Sequence, residues 1–337
     1  MNIPARVIVI VLLAILAVTW PSQAQMTSKI SIDAKPANFA RLSFGSPPSG
    51  QLEFRGGLLL SSTDERFGGF SGLAFSADGT ALLAVSDEGW WLRADVEYHN
   101  DRPAALANAV LAPLLAKDGR RPKSKRNRDA EAIALDRSGE IDGEVYVGFE
   151  SRARLEKFDM RRHGLAAKPL RLHVPASLAK GPYNRQFEAL GKLTHGPWRG
   201  SLIALSERNL DREGNIRGWV IAGETSHGFS IKRLEDYDIT DLAVMPDGSI
   251  VTLERSYVTG GLPGMALRRF PQAAPKPGAV VTPALLFSGR QPFYLIDNME
   301  GIAVHRWKDE LRITVLSDDN YNRGAQRTVL FQFALSK

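Results

Sequence analysis

One pattern recurs five times along the 337-residue chain: a short apolar run, a polar turn and a second apolar run that ends on acid. The copies are "SGLAFSADGTALLAVSDEG", "AEAIALDRSGEIDGEVYVGFESR", "FEALGKLTHGPWRGSLIALSERN", "TDLAVMPDGSIVTLERSY" and "NMEGIAVHRWKDELRITVLSDDN". Anchored on Ser71, Glu131, Glu188, Asp241 and Glu300, they are spaced by 60, 57, 53 and 59 residues. A repeat of this length is one supersecondary unit that cannot bury its apolar faces alone, so neighbouring copies must pack on each other. The turns Asp78-Gly79, Ser138-Gly139 and Asp247-Gly248 carry hairpin chemistry. The strands are nearly continuous in apolar character, as expected of strands covered on both faces.

Two further short strands follow most copies: "RLEKFDM" and "KPLRLHVP", then "RGWVIAGE" and "FSIKRLED", then "MALRRFP" and "TPALLFSG". Four strands per unit describe a blade of an all-β propeller. Five blades are expected. "SKISIDAKPANFARLSFG" offers strands toward a sixth. The fifth copy lacks one strand, and "GQLEFRGGLLLS" is placed beside the C-terminal "RTVLFQFALS" to close the ring. "RPAALANAVLAPLLAKDG" reads as a short inserted helix.

In such a blade the start of the first strand and the end of the second share one face. The starts carry Ser71, Glu131, Glu188, Asp241 and Glu300; the ends carry Asp87 and Glu88, Glu150, Glu207, Glu254, and Asp318 with Asp319. About ten carboxylates then meet at one mouth, where they repel and raise one another's pKa. Neutralisation can come from arginines beside them, Arg128, Arg152, Arg185, Arg208 and Arg255. It can also come from a hard cation. A donor set of Asp, Glu and Asn without cysteine suits Ca2+, with Mg2+ the alternative. A competing reading is structural: a repeated acid can accept backbone N–H groups and lock one blade to the next.

Val7 to Trp20 is an apolar run of 14 residues behind Arg6, followed by Ser22-Gln23-Ala24. That is the grammar of a secretory signal, shorter than the about 20 residues of a membrane span. Residues 1–24 are therefore expected to be a signal peptide and 25–337 one propeller domain, periplasmic or secreted, with no integral span. The chain has no cysteine, so a core rather than disulfides must stabilise it. The formal charge is +6, concentrated in "GRRPKSKRNR". Without interleaved aromatics this run reads as a solvated loop and not a nucleic-acid surface.

Other chemistry is sparse. No G-x-S-x-G elbow, Walker loop or dinucleotide fingerprint occurs. Six histidines show no H-x-x-x-H pair, and His195 and His305 read as surface residues in or near turns. Ser71 stands where other copies carry acids, either as a repeat variant or as a nucleophile. Trp90-Trp91 either lines the mouth or packs between blades.

The ordered set "GGFSGLAF…LLAVSDEG", "DAEAIAL…VYVGFES", "RQFEALGKL…LIALSER", "ITDLAVMPDGSIVTLER" and "DNMEGIAV…ITVLSDDN" resembles the bacterial phytase-like family described as having esterase-like activity. The resemblance runs from about Gly68 to Asn320. It implies an exported propeller that hydrolyses phosphoric or carboxylic esters. It is distantly similar to the β-propeller phytases, whose acidic mouth holds calcium ions that bind substrate phosphate and activate water. None of their ligands is carried over residue by residue, because no local motif of theirs recurs here. The expected function is metal-assisted phosphoester hydrolysis by a monomer acting on a small phosphorylated or ester substrate. Glu131, Glu188 and Glu207 are the candidate catalytic groups, and Arg185, Arg208 and Arg255 the substrate clamps. Asp87, Glu131, Glu150, Glu188, Glu300 and Asp318 are the candidate metal ligands. A non-catalytic binding propeller and a Ser71 carboxylesterase are the alternatives.

Overall fold

A computed structural model of the chain describes residues 27–41, 51–181, 186–257 and 261–336. The expected signal peptide, residues 1–24, lies outside them. Five sheets, antiparallel except where Val280–Val281 adds a parallel edge to Thr225–Ile231, form a five-bladed β-propeller. The first strands, Phe70–Phe75, Ala130–Leu135, Ala189–Lys192, Asp238–Val244 and Asn298–Trp307, neighbour one another around the axis. Each second strand returns antiparallel beside its first. Glycines at the hairpin tips take positive φ, +74° at Gly79 and +86° at Gly248, which a side chain resists.

The ring closes as the repeat count requires. Leu52–Ser61 pairs antiparallel with Thr328–Leu335, Leu58 opposite Leu330, so both ends of the chain share blade five. "SKISIDAKPANFARLSFG" makes no sixth blade among the described residues. Ser28–Lys29 edges blade one and Asp33–Pro36 edges blade five.

The core is five seams between blades rather than one centre. Leu83 and Val85 pack with Ile133 and Val147 of blade two. Leu82 and Ala84, on the other face of the same strand, pack with Leu316 and Leu330 of blade five. Similar clusters fill the remaining three seams. A period of two sends alternate side chains to alternate neighbours, so every position along the strand is buried.

The alanine-rich segment expected as a helix is instead a twelve-residue strand, Arg102–Pro113, paired with Trp90–His99. Asn100 and Asp101 form its hairpin turn with φ of +49° and +61°. Cross-strand pairing and burial of Leu106, Ala109 and Leu111 override alanine's helix preference. Trp91 is fully buried and packs edge-on to Phe158, in the seam rather than the mouth. His305 is likewise buried, against Phe75, and not at the surface; His195 is exposed as expected.

Candidate functional site

The first strands share a defect. Phe70 pairs with Ser86 and Gly72 with Val85, which leaves Ser71 unpaired. The same bulge leaves Glu131 and Glu300 unpaired in blades two and five. In blade three Glu188 sits at the matching place, its N–H donating to the Leu205 carbonyl at 3.1 Å. A bulge re-aims the extra side chain, and Ser71, Glu131, Glu188 and Glu300 all line one cavity at the end of the channel. Asp87 and Glu150, which follow the paired ends of their second strands, line it too, as do Glu207 and Asp318, the latter paired with Asn298. The cavity measures about 540 Å³.

Blade four departs from the expected pattern by one residue. Its bulge leaves Thr240 unpaired, between the pairs Ile239–Glu254 and Asp241–Leu253. Thr240 donates its hydroxyl to the Met299 carbonyl at 2.9 Å. Asp241 falls at the position held elsewhere by Gly72, Ala132, Ala189 and Gly301, which faces the next blade. There its carboxylate accepts the N–H groups of Leu242 and Ile302, both at 2.8 Å. Glu254 is buried and accepts from Arg268 Nε at 2.7 Å, away from the mouth. The mouth position of the second strand belongs to Arg255. Neither Asp241 nor Glu254 joins the acidic rim, so blade four contributes a cation instead of an acid.

Arg255 donates through Nη1 to Glu300 and Asn298, and through Nη2 to Glu207 at 3.1 Å. Arg208 does not reach the mouth; it pairs with Asp238, which Arg233 also holds at 2.7 Å. Arg185 lies outside the described residues. Of Glu88 and Asp319, the former pairs with Arg128 and the latter accepts the Gly69 N–H at 3.1 Å.

Six lining residues were not expected from the repeat: Lys125, Asp129 and Asn298, and also Tyr257, Asn320 and Gln326. The basic run, expected as a solvated loop, is exposed at Arg120 and over Lys123–Arg126, but it also folds onto the rim. Its helix Lys125–Arg128 places Lys125 Nζ 2.6 Å from Asp87 Oδ2 and 2.7 Å from Asp129 Oδ1. Asp129 and Asn298 precede Glu131 and Glu300 by two residues, Asn298 as the first residue of its strand and Asp129 as the cap between the helix and its strand. Reading the polar residue two before each bulge would have found them.

Oxygens of Asp129, Glu131 and Glu150 lie within 4.8 Å of one another. Among the described residues this is the one group of three such donors near enough together to hold a metal ion. All three donors are hard oxygens, and Glu188 shares a hydrogen bond with Glu150 on the adjoining wall. Asp87 Oδ1, across the same cavity, is buried with no hydrogen-bond partner.

Burial and crowding shift these acids together. Burial first, then Asp129 and Glu150, pushes Glu131 well above the usual carboxylate range. Burial and then Glu150 do the same to Glu188, and burial and then Asp87 to Asp318. Burial pushes Glu150 and Glu300 up to about 7 and raises Asp87. Burial opposes the charge of Lys125, yet the Asp87 carboxylate, with Glu131 and Asp129, holds its pKa above the ordinary value. Ser71 is buried at the mouth, but among the described residues no histidine lines the cavity to activate it.

Among solved structures, that of U3-55K is similar at 9% identity over 85% of this chain and 99% of its own, TM-score 0.42. A gluconolactonase from Xanthomonas campestris is similar at 10% identity over 92% of this chain and 98% of its own, TM-score 0.41. The dihydro-heme d1 dehydrogenase NirN is similar at 13% identity over 88% of this chain and 55% of its own, TM-score 0.34. At such similarity none of their activities transfers. No curated protein matches the sequence. Residues 65–321, which span all five copies of the repeat and every lining residue of the mouth except Gln326, match the family described as "Phytase-like: Esterase-like activity of phytase", and the chain belongs to that family.

Proposed function

We propose that the protein hydrolyses phosphoesters at this mouth, assisted by a divalent cation held by Asp129, Glu131 and Glu150. The convergence of three carboxylate oxygens within 4.8 Å carries the reading. The oxygen donors and the room for water and substrate fit calcium, with magnesium the alternative. A bound cation would withdraw charge from the phosphoester oxygens and acidify water beside them. The chain's own residues supply the rest. Glu188, kept protonated by burial beside Glu150, can give its proton to the departing alkoxide. Glu207, paired with Arg255 at 3.1 Å, can take a proton from attacking water. Arg255, fixed by Glu300 and Glu207, presents positive charge to the phosphate. Asp87, Glu300 and Asp318 complete the acidic wall and are further candidate ligands, and Arg185 remains a candidate clamp. With residues 1–24 as an export signal, the monomer would act in the periplasm or outside the cell.

The test is a panel of phosphomonoesters and phosphodiesters assayed with calcium and with excess EGTA. Hydrolysis is expected with calcium, lost in EGTA and restored on recalcification. Glu131→Gln should lower kcat by about 10²-fold or more. Unchanged activity in EGTA removes the cation from the reading. Calcium-induced stabilisation without turnover of any substrate replaces the enzyme with a binding propeller.

A further inference from the structure

A second cavity of about 500 Å³ lies outside the mouth and shares no lining residue with it. It sits where the basic run folds against the third and fourth strands of blade two. Seven cationic residues line it against two acids, Asp118 and Glu156. Arg154 is the built element. It is 6% exposed, stacks 3.5 Å over the Phe149 ring, and donates to Glu156 at 3.1 Å and to the Asn127 carbonyl at 2.5 Å. Its Nη1 is buried with no hydrogen-bond partner. Arg121 repeats the situation: its guanidinium lies 4.3 Å from the Trp90 ring centroid and donates to the Glu88 carbonyl, while its Nε has no partner. Glu156 is already shared with Arg171 at 3.7 Å, and Asp118 accepts the Arg120 N–H at 3.0 Å. Arg121 also pairs with Glu88 at 3.6 Å, so three acids stand against the arginines and lysines of the pocket and positive charge remains in excess.

A fold that buries guanidinium groups without satisfying them leaves costly charges, and a planar donor fork is matched by a tetrahedral oxyanion. We infer that this pocket is an anion-binding site, separate from the acidic mouth, that takes a phosphate group through Arg154 with Arg121, Arg152 and Arg171 around it. Burial lowers the pKa of both Arg154 and Arg121, the latter to about 10, as expected of cations awaiting a counter-charge. The helix Lys125–Arg128 is the wall between the two sites. Lys125 faces the mouth, and Asn127 faces the pocket, 3.3 Å from Arg152 Nη1.

Inorganic phosphate titrated calorimetrically into the full chain in EGTA and low salt tests this. One phosphate per chain is expected. Arg154→Gln should weaken binding by about tenfold or more, the loss of a charge-assisted hydrogen bond. Because Arg154 is buried, the double variant Arg152→Ala/Arg171→Ala, at more exposed positions, gives a second reading that does not depend on the core and should weaken binding similarly. Arg255→Gln, in the mouth, should leave it unchanged. Glycerol phosphate competing with phosphate points to a soluble phosphoester, and phosphatidylglycerol vesicles competing with it point to a lipid headgroup; either supports the site. No phosphate binding, wild-type affinity in the folded double variant, or loss in Arg255→Gln alone overturns it.

Discussion

His305 lies flat against Phe75, ring centroids 4.3 Å apart, in the seam between blades five and one. With Nδ1 donating to the Arg306 carbonyl, Nε2 accepts from the Thr314 hydroxyl at 2.8 Å. Neither nitrogen is offered a carboxylate, and burial, with Arg312 nearby, lowers its pKa from 6.5 to about 4. The unfolded chain therefore binds this proton more readily than the native one between those values. Stability from the residue is complete above pH 6.5 and is lost as pH falls toward 4. The gap corresponds to about 3 kcal/mol. Urea unfolding of the wild type and His305→Gln at several pH values between 7.5 and 4.5 should show it. The variant starts lower, having lost the ring stack, but should have a clearly flatter loss on acidification. Equal slopes would mean that the imidazole is protonated in the native seam.

At the scale of the element, the first strand of blades one, two and five does two jobs with adjacent residues. The bulged residue addresses the mouth, and the next one meets the neighbouring blade. Gly72 shows how close that second contact is: a Cβ there would come within 3.0 Å of the Ile133 nitrogen. Asp241 turns the same closeness into a lock, because each carboxylate oxygen accepts one N–H, from Leu242 and from Ile302. Asp241→Asn keeps the size but turns an NH2 toward one of those donors. It should destabilise the fold by about 2–4 kcal/mol, measured by denaturant midpoint, while the folded fraction keeps the activity of the parent. A shift under half of that would show that the lock contributes little. Most strands, the turns and the closure were legible because period-two burial and turn chemistry are written locally; the alanine-rich strand Arg102–Pro113 was not. The register of blade four was not. Asp241 and Glu254 look like the acids of the other copies, and the one-residue step appears only when Gly72, Ala132, Ala189 and Gly301 are recognised as packing positions. Lys125 was illegible for another reason. It reaches the mouth from a short helix outside the repeat, where the repeat predicts nothing about side-chain direction.

The whole molecule gathers eight carboxylates and two cations around one cavity, and packing elsewhere must hold that arrangement together. The consequence for stability has a definite sign. Glu150 and Glu300 have folded pKa values raised to about 7 from 4.5, with Glu131, Glu188 and Asp318 also raised well above theirs. Between those values the native mouth holds protons that the unfolded chain has released. The mouth's contribution is therefore most favourable below the unfolded values and is lost as pH rises through about 7. Cation-free protein should lose a melting-temperature increment attributable to the mouth between pH 5 and pH 7.5. Calcium, which binds ionised carboxylates, should restore it at pH 7.5 and do much less at pH 5. At one hundred times its Kd the ion contributes about 2.7 kcal/mol. Glu150→Gln should raise the melting temperature of the cation-free protein at pH 7.5 and abolish most of the calcium increment. Scanning calorimetry of both proteins, in EGTA and in calcium at both pH values, decides it. If the variant responds to calcium as the parent does, the ion sits elsewhere than between Asp129, Glu131 and Glu150. If the parent does not respond at either pH, Lys125 and Arg255 suffice to neutralise the ring, and the mouth is a built ionic network rather than a cation site.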